Sequence, residues 1–336
     1  MNIKPAVWFP TIRTGTGTEI FTARLVEGLQ KTGIRAEITW LPHRAEFLPW
    51  TIPNLKAPGW ANIVHVNTWC HTRLIPQGLP VVATVHTCVH DAQLAPYTSY
   101  LQSLYHRYWI KRLEKSVLGR ASQIVCVSNY VRRKTEEWSG ISSQVIHNGV
   151  ELVTPIEERA SHFPFRLFYA GNWKNLKGVN LLSPIMSALG EGFELWFTAD
   201  ANGADKKVVM PTNCKNIGRL NQLEMAEAYR SVDALLFPTR IEGLPLVAIE
   251  AMSHGLPVIS TKGSSLPEVV NDGIDGYLCP QDNVASFKEA AERLAQDKML
   301  WLKMSKAAQE RVRQVFSLER MVSEYINIYM ECLRPG

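Results

Sequence analysis

Short runs of β-branched and aromatic residues alternate with helical segments along this whole chain, in two successive series. That alternation predicts parallel sheets built from strand–helix–strand units. In the first series the expected strands are Ala6–Phe9, Ala36–Trp40, Ile63–Val66, Val81–His86, Ile124–Ser128 and Val145–His147. In the second they are Arg166–Ala170, Glu194–Thr198, Asn216–Gly218, Ala234–Phe237, Pro257–Ser260 and Gly276–Leu278. Each series is of domain size, and 336 residues suit two ordinary domains rather than one. The expected fold class is therefore α/β, with two doubly wound parallel-sheet domains. Their junction is expected at Glu151–Phe165, where Val153-Thr154-Pro155-Ile156-Glu157-Glu158-Arg159 is polar and broken by proline. The last segment, Leu318 to Cys332, carries Met321, Tyr325, Ile328 and Tyr329 at helical spacing.

Composition removes several function classes. A 46% hydrophobic, 20% charged chain is globular, and it has no apolar run of membrane-spanning length. Met1-Asn2-Ile3-Lys4-Pro5 leads directly into a short strand, without a signal-peptide pattern. Six scattered cysteines with no C-x-x-C pair argue against a zinc cage or disulfide framework, and for a reducing, cytoplasmic setting. A net charge of +5 suits an anionic ligand or an anionic membrane surface. No zinc finger, RNP or helix-turn-helix signature accompanies it, so nucleic acid is not an expected partner.

The chemistry concentrates in Pro238–Pro280, around Glu242-Gly243-Leu244-Pro245-Leu246-Val247-Ala248-Ile249-Glu250. Pro245 is expected as the first helical residue, where its missing N–H costs nothing. The amides near Gly243 and Leu244 would then face outward at a helix start, a position that favours phosphate. Glu250 would stand about 9 Å along the axis at about 1.5 Å per residue. Both carboxylates suit hydroxyl recognition rather than contact with phosphates, which they would repel. The pattern predicts a clamp for a nucleotide sugar. Nearer the start, Arg13-Thr14-Gly15-Thr16-Gly17-Thr18-Glu19 follows the first strand as a glycine loop. It either brings backbone close to a ligand or simply begins a helix with Thr18 as its cap. A third stretch, Tyr100–Arg120, sets Arg107, Lys111 and Lys115 on one helical stripe beside aromatic residues. It suits either an anionic membrane surface or a plain half-buried helix.

The Glu242/Glu250 pair is followed by His254-Gly255-Leu256-Pro257-Val258-Ile259-Ser260, Leu266-Pro267-Glu268-Val269-Val270, Gly273 and Gly276. Together these resemble the E-x7-E signature of retaining glycosyltransferases of family 4, which have the GT-B architecture. The resemblance implies an acceptor-side Rossmann-like domain over 1–155, a nucleotide-sugar-binding one over 160–316, and a 317–336 helix crossing back to the first. It implies that Glu242, Lys177 and His86 act at the reacting centre. It places Gly17, Asn172, Arg219, Gly243, Leu244, Pro245 and Glu250 around the donor. The family's usual Gly-Arg pair is here Gly171-Asn172, followed by the expected Lys177-Gly178. Charge on the leaving phosphate then rests more on Lys177, with Lys174, Arg13 or Arg240 as candidate substitutes. The implied reaction is retaining transfer of a hexosyl-type sugar from a nucleotide-diphosphate sugar to a hydroxyl acceptor, without metal or other cofactor. The family's usual acceptors are glycans or lipid-linked glycans of cell-surface polysaccharide or lipopolysaccharide synthesis, used at the inner face of the plasma membrane. An inactive donor-binding subunit, or a GT-B epimerase, remain the alternatives.

Overall fold

The computed structural model describes residues 3–154, 161–199 and 209–334. The chain forms two compact units, Met1–Gly149 with Ser317–Gly336, and Val150–Phe316. The expected boundaries at 155 and 160, with Pro155–Arg159, lie outside the described residues.

In the first unit six strands form one parallel sheet: β1 (Ala6–Ile12), β2 (Arg35–Leu41), β3 (Ile63–Asn67), β4 (Val81–Val85), β5 (Gln123–Cys126) and β6 (Gln144–Val145). Their order is β2-β1-β3-β4-β5-β6. All five residues of β4 are buried, as expected of a central strand covered on both faces. The second unit holds β7 (Phe165–Tyr169), β8 (Phe193–Phe197), β9 (Cys214–Asn216), β10 (Ala234–Phe237), β11 (Val258–Thr261) and β12 (Gly276–Cys279). Their order is β12-β11-β10-β7-β8-β9, again all parallel. In each sheet the winding direction reverses once, at β1/β3 in the first and at β7/β10 in the second. Ligands of such sheets bind beyond the carboxyl ends of the strands at that reversal. A ligand site is therefore expected at the loops after β1, β3, β7 and β10.

The last helix, Leu318–Cys332, belongs to the first unit. Its Met321, Val322, Tyr325, Ile328 and Tyr329 share a core with Phe21, Leu25, Val26 and Leu29 of the first helix, Gly17–Lys31. Glycine is required where the two meet, since a Cβ on Gly28 would stand 2.4 Å from Val322 Cγ2. A chain of buried side chains is paired beneath this interface. His65 Nδ1 lies 2.7 Å from the Tyr329 hydroxyl and Nε2 2.7 Å from Thr84 Oγ1, which is 3.0 Å from the Tyr325 hydroxyl. Burial lowers the His65 pKa to about 3, with His86 adding to the effect, so the ring stays neutral. Each such bond contributes about 1 kcal/mol net, and leaving its partner bare would cost more.

The second unit's core gathers Leu167, Tyr169, Leu236, Ile259, Phe287 and Trp301 around β7 and β10. Asp233, fully buried before β10, accepts hydrogen bonds from the main-chain amides of His162 (3.1 Å) and Arg166 (2.7 Å). It thereby ties the entry of β7 to β10 and fixes the two strands that flank the reversal.

The Tyr100–Arg120 segment is not one α-helix. It runs α over Tyr100–Tyr105, π over His106–Ile110 and α over Lys111–Arg120. The wider π turn rotates later side chains relative to a 3.6-residue stripe. Arg107, Lys111 and Lys115 are nonetheless all exposed, as are Tyr100 (77%), Leu101 (77%) and Tyr108 (67%). Among the described residues no helix is long and apolar enough to cross a membrane.

Candidate functional site

At the reversal of the second sheet, the loop after β7 meets the loop after β10. Lys177 lies in a short 3-10 turn, Asn175–Lys177, after β7. Its Nζ is 2.7 Å from Glu242 Oε1, with both side chains largely buried. Thr239 Oγ1 donates to the same carboxylate oxygen at 2.8 Å. The main chain of Glu242 is pinned as well. Its amide donates to Ser264 Oγ (3.0 Å) and its carbonyl accepts from Ser265 Oγ (3.1 Å). Burial, and then the Glu242 charge, push the Tyr169 hydroxyl well above its ordinary pKa, so it remains protonated beside the pair.

The approach of these loops depends on Gly178. It has φ of +72°, and a Cβ there would sit 2.0 Å from the Pro238 carbonyl oxygen. The Lys-Gly pair thus has a structural reason: the lysine reaches the carboxylate because its neighbour has no side chain.

Pro245 corrects the sequence reading. Its ψ of 100° is extended, so it caps the helix, which runs Leu246–Ser253. Main-chain bonding starts with Ala248 to the Pro245 carbonyl at 3.1 Å. The helix-start donors are the amides of Leu246 and Val247, later than the expected Gly243 and Leu244, both of which are buried. Glu250 lies on this helix, half-buried, and accepts from the Tyr229 hydroxyl at 3.2 Å.

Arg240 is spoken for. Its guanidinium, 6% exposed, bonds Asp282, the Asn175 carbonyl and Asn180 Oδ1. It braces the Lys177 loop from behind and is not placed to replace the missing arginine. Asn172 and Lys174 are exposed at the mouth of that loop. Arg13, in the other unit, lies over the Trp40 ring at 5.1 Å. Arg219 is exposed in the loop that follows β9, where Gly218 has φ of +76°.

The first unit's reversal holds a cavity of about 360 Å³ among the loops after β1, β3 and β4. His86, just past the end of β4, lines it and pairs through Nε2 with Asn67 Oδ1 at 2.8 Å. Burial lowers the His86 pKa to about 3, so its imidazole is neutral. The glycine loop differs from its expected role. The helix starts at Gly17 with Thr16, not Thr18, as its cap. The Glu19 carboxylate folds back onto the amides of Thr14 and Gly15. Those two donors are filled by the chain's own carboxylate.

Several participants gave little sequence signal. Thr239, Ser264 and Ser265 are small polar residues in loops that only the fold brings to Glu242. Tyr229 stands 21 residues before its partner Glu250. Glu46 lies on a four-residue helix, Arg44–Phe47, and its 4% exposure next to the cavity marks it only in three dimensions.

Two family models match the chain: glycosyl transferases group 1 over residues 164–297, and glycosyltransferase family 4 over residues 37–153. An uncharacterized glycosyltransferase of Methanocaldococcus jannaschii is 29% identical over 231 residues, 65% of this chain. The match spans 65% of that relative's own length, just under two thirds. Sucrose-phosphate synthase from Thermosynechococcus elongatus has a TM-score of 0.79 at 18% identity, covering 98% of this chain and 99% of its own. HepE of Anabaena, in complex with UDP and glucose, has a TM-score of 0.72 at 13% identity, covering 98% of this chain and 100% of its own. These two likenesses establish the shared GT-B fold. With one family model on each half, the chain belongs to the glycosyltransferases of family 4, group 1 type.

Proposed function

We propose that this protein transfers a sugar from a nucleoside-diphosphate sugar to a hydroxyl acceptor, with retention at the anomeric carbon. The observation that carries the reading is the Lys177–Glu242–Thr239 constellation at the strand reversal, beside the start of the Glu250 helix. Lys177 Nζ and the Leu246 and Val247 amides supply positive charge where the diphosphate departs. Glu242 is suited to accept from hydroxyls of the donor sugar, and Glu250 from those of the ribose. The UDP and glucose in the Anabaena complex are the donor chemistry such a site suits. As the anomeric C–O bond to phosphate breaks, the acceptor oxygen forms its bond on the same face. The acceptor proton passes to the leaving phosphate oxygen, so the scheme needs neither a separate base nor a metal ion. Donor binding without turnover is the second reading, favoured by Asn172 standing where charge is expected and by the engagement of Arg240.

The direct test supplies UDP-, GDP- and ADP-sugars with a panel of glycosides. Released nucleoside diphosphate is measured, and the product's anomeric coupling is read by NMR. Retained configuration supports the proposal; an inverted product, or binding without turnover across the panel, contradicts it. Removing the ribose partner offers a separate check. Glu250→Ala should weaken donor binding by about 1–3 kcal/mol, measured by titration calorimetry. Unchanged affinity would remove the ribose assignment.

The acceptor we propose is a glycan or lipid-linked glycan of the cell surface, met at an anionic membrane. Exposed Tyr100, Leu101 and Tyr108 beside Arg107, Lys111 and Lys115 support that reading. Neutralising the three basic residues should weaken binding to phosphatidylserine vesicles on the order of 100-fold, at about 1 kcal/mol per charge. Unchanged sedimentation with vesicles would leave the segment a structural helix.

A further inference from the structure

The cavity at β1/β3 has a charge pattern that selects among acceptors. Its lining includes five threonines, Asn67, Trp69 and neutral His86, and among the described residues it includes no lysine or arginine. Besides His86 and the Cys70 thiol, the ionisable groups lining it are Glu46 and the exposed His43. Glu46 is fixed in place. Its Oε1 accepts from the Tyr105 hydroxyl at 3.2 Å, and its main-chain carbonyl accepts from Trp109 Nε1 at 3.3 Å. Among the described residues, the other carboxylate oxygen, Oε2, is paired only with His43 Nε2, 3.6 Å away and beyond hydrogen-bond length. A buried carboxylate thus keeps one acceptor oxygen open beside a cavity rich in hydroxyl groups.

Burial raises the Glu46 pKa, with the Tyr105 hydroxyl and His43 offsetting part of the effect. The site thus already disfavours one anion, and among the described residues its lining has no lysine or arginine to balance the second that a phosphorylated or carboxylated ligand would bring. An uncharged ring bearing several hydroxyls meets complementary partners instead: a carboxyl oxygen that can accept at Glu46, and threonine hydroxyls that can donate or accept. We infer that this cavity takes the acceptor, that the acceptor's bound portion is an uncharged polyhydroxyl ring, and that a ring hydroxyl donates to Glu46 Oε2. The inference rests on the transferase reading above and adds the chemical class of its acceptor. Glu46 acts in it as a specificity residue, selecting against anions.

The test uses saturation-transfer NMR on the full chain. The probes are the methyl glycosides of glucose, galactose, mannose and N-acetylglucosamine, each set against its 6-phosphate, with glucuronate as a further anion. At least one neutral glycoside should bind, and its anionic counterpart should bind about 10-fold more weakly or not at all. Glu46→Gln keeps the shape and removes the charge. It should weaken glycoside binding about 10- to 100-fold, with an unchanged thermal transition and unchanged UDP affinity by calorimetry. Tyr105→Phe, which frees Oε1, should retain glycoside binding. Equal or tighter binding of the anions overturns the inference. So does unchanged binding by Glu46→Gln, or no glycoside binding to a folded protein. Loss is told apart from failure of the transferase reading by the UDP control: glycoside binding without any nucleotide binding would sink the transferase reading and leave a neutral-sugar site.

Discussion

Gly178→Ala is expected to destabilise the protein by about 2–5 kcal/mol and to lower turnover by on the order of 100-fold or more. Two costs combine at this position. Its φ of +72° disfavours any side chain, and the new methyl would stand 2.0 Å from the Pro238 carbonyl oxygen and 2.6 Å from its carbon. The obstacle is main chain, so no side-chain rotation relieves it. The loops after β7 and β10 must separate, and they carry Lys177 on one side and Thr239 with Glu242 on the other. Gly140→Ala is the matched control, because Gly140 is left-handed in the same way, with φ of +70°, and has nothing within 4 Å of its Cβ position. That variant should lose only about 1 kcal/mol and keep full turnover. Thermal melts and nucleotide release distinguish the two. Similar behaviour of both variants would mean that close loop approach is not what Gly178 supplies.

Lys177→Ala should lower turnover by about 10²–10³, and more than it raises the apparent donor constant. The charge that develops on the departing phosphate has few other sources in the second unit. Arg240 is held by Asp282, Asn175 and Asn180, and Asn172 carries no charge. The stability effect should be smaller. Lys177 is partly solvated, so losing its pair with Glu242 costs about 1 kcal/mol, with Thr239 still bonded to the carboxylate. Lys177→Arg tests geometry, since a planar fork keeps the charge but cannot reproduce a compact ammonium. It should recover part of the lost rate. Turnover unchanged in Lys177→Ala would place the phosphate site elsewhere.

The strands were legible because parallel strands buried on both faces leave short apolar runs. All twelve occur where those runs lie, with ends shifted by at most three residues. The spacing of Glu242 and Glu250 marked the carboxylates, whereas Lys177 and His86 were singled out by the family resemblance. What the sequence hid were contacts made across loops. That Glu19 fills the Thr14 and Gly15 amides, or that Arg240 is consumed behind the Lys177 loop, depends on side-chain direction, which spacing does not encode. The Pro245 boundary moved by one residue because a proline's fixed φ suits a helix cap as well as a first turn. The π turn at His106–Ile110 leaves no pattern that a 3.6-residue period would reveal. Glu46 was invisible for a simpler reason: a carboxylate on a short helix reads as surface until the fold buries it.

Titration calorimetry with UDP, GDP, ADP and their common sugar conjugates tests the central claim, a nucleotide-sugar site at the β7/β10 reversal, most directly. The account predicts preferential binding of one base, with its affinity reduced by Glu250→Ala. Absence of binding by every nucleotide, in a protein shown to be folded, would contradict it and leave a GT-B scaffold without a donor site.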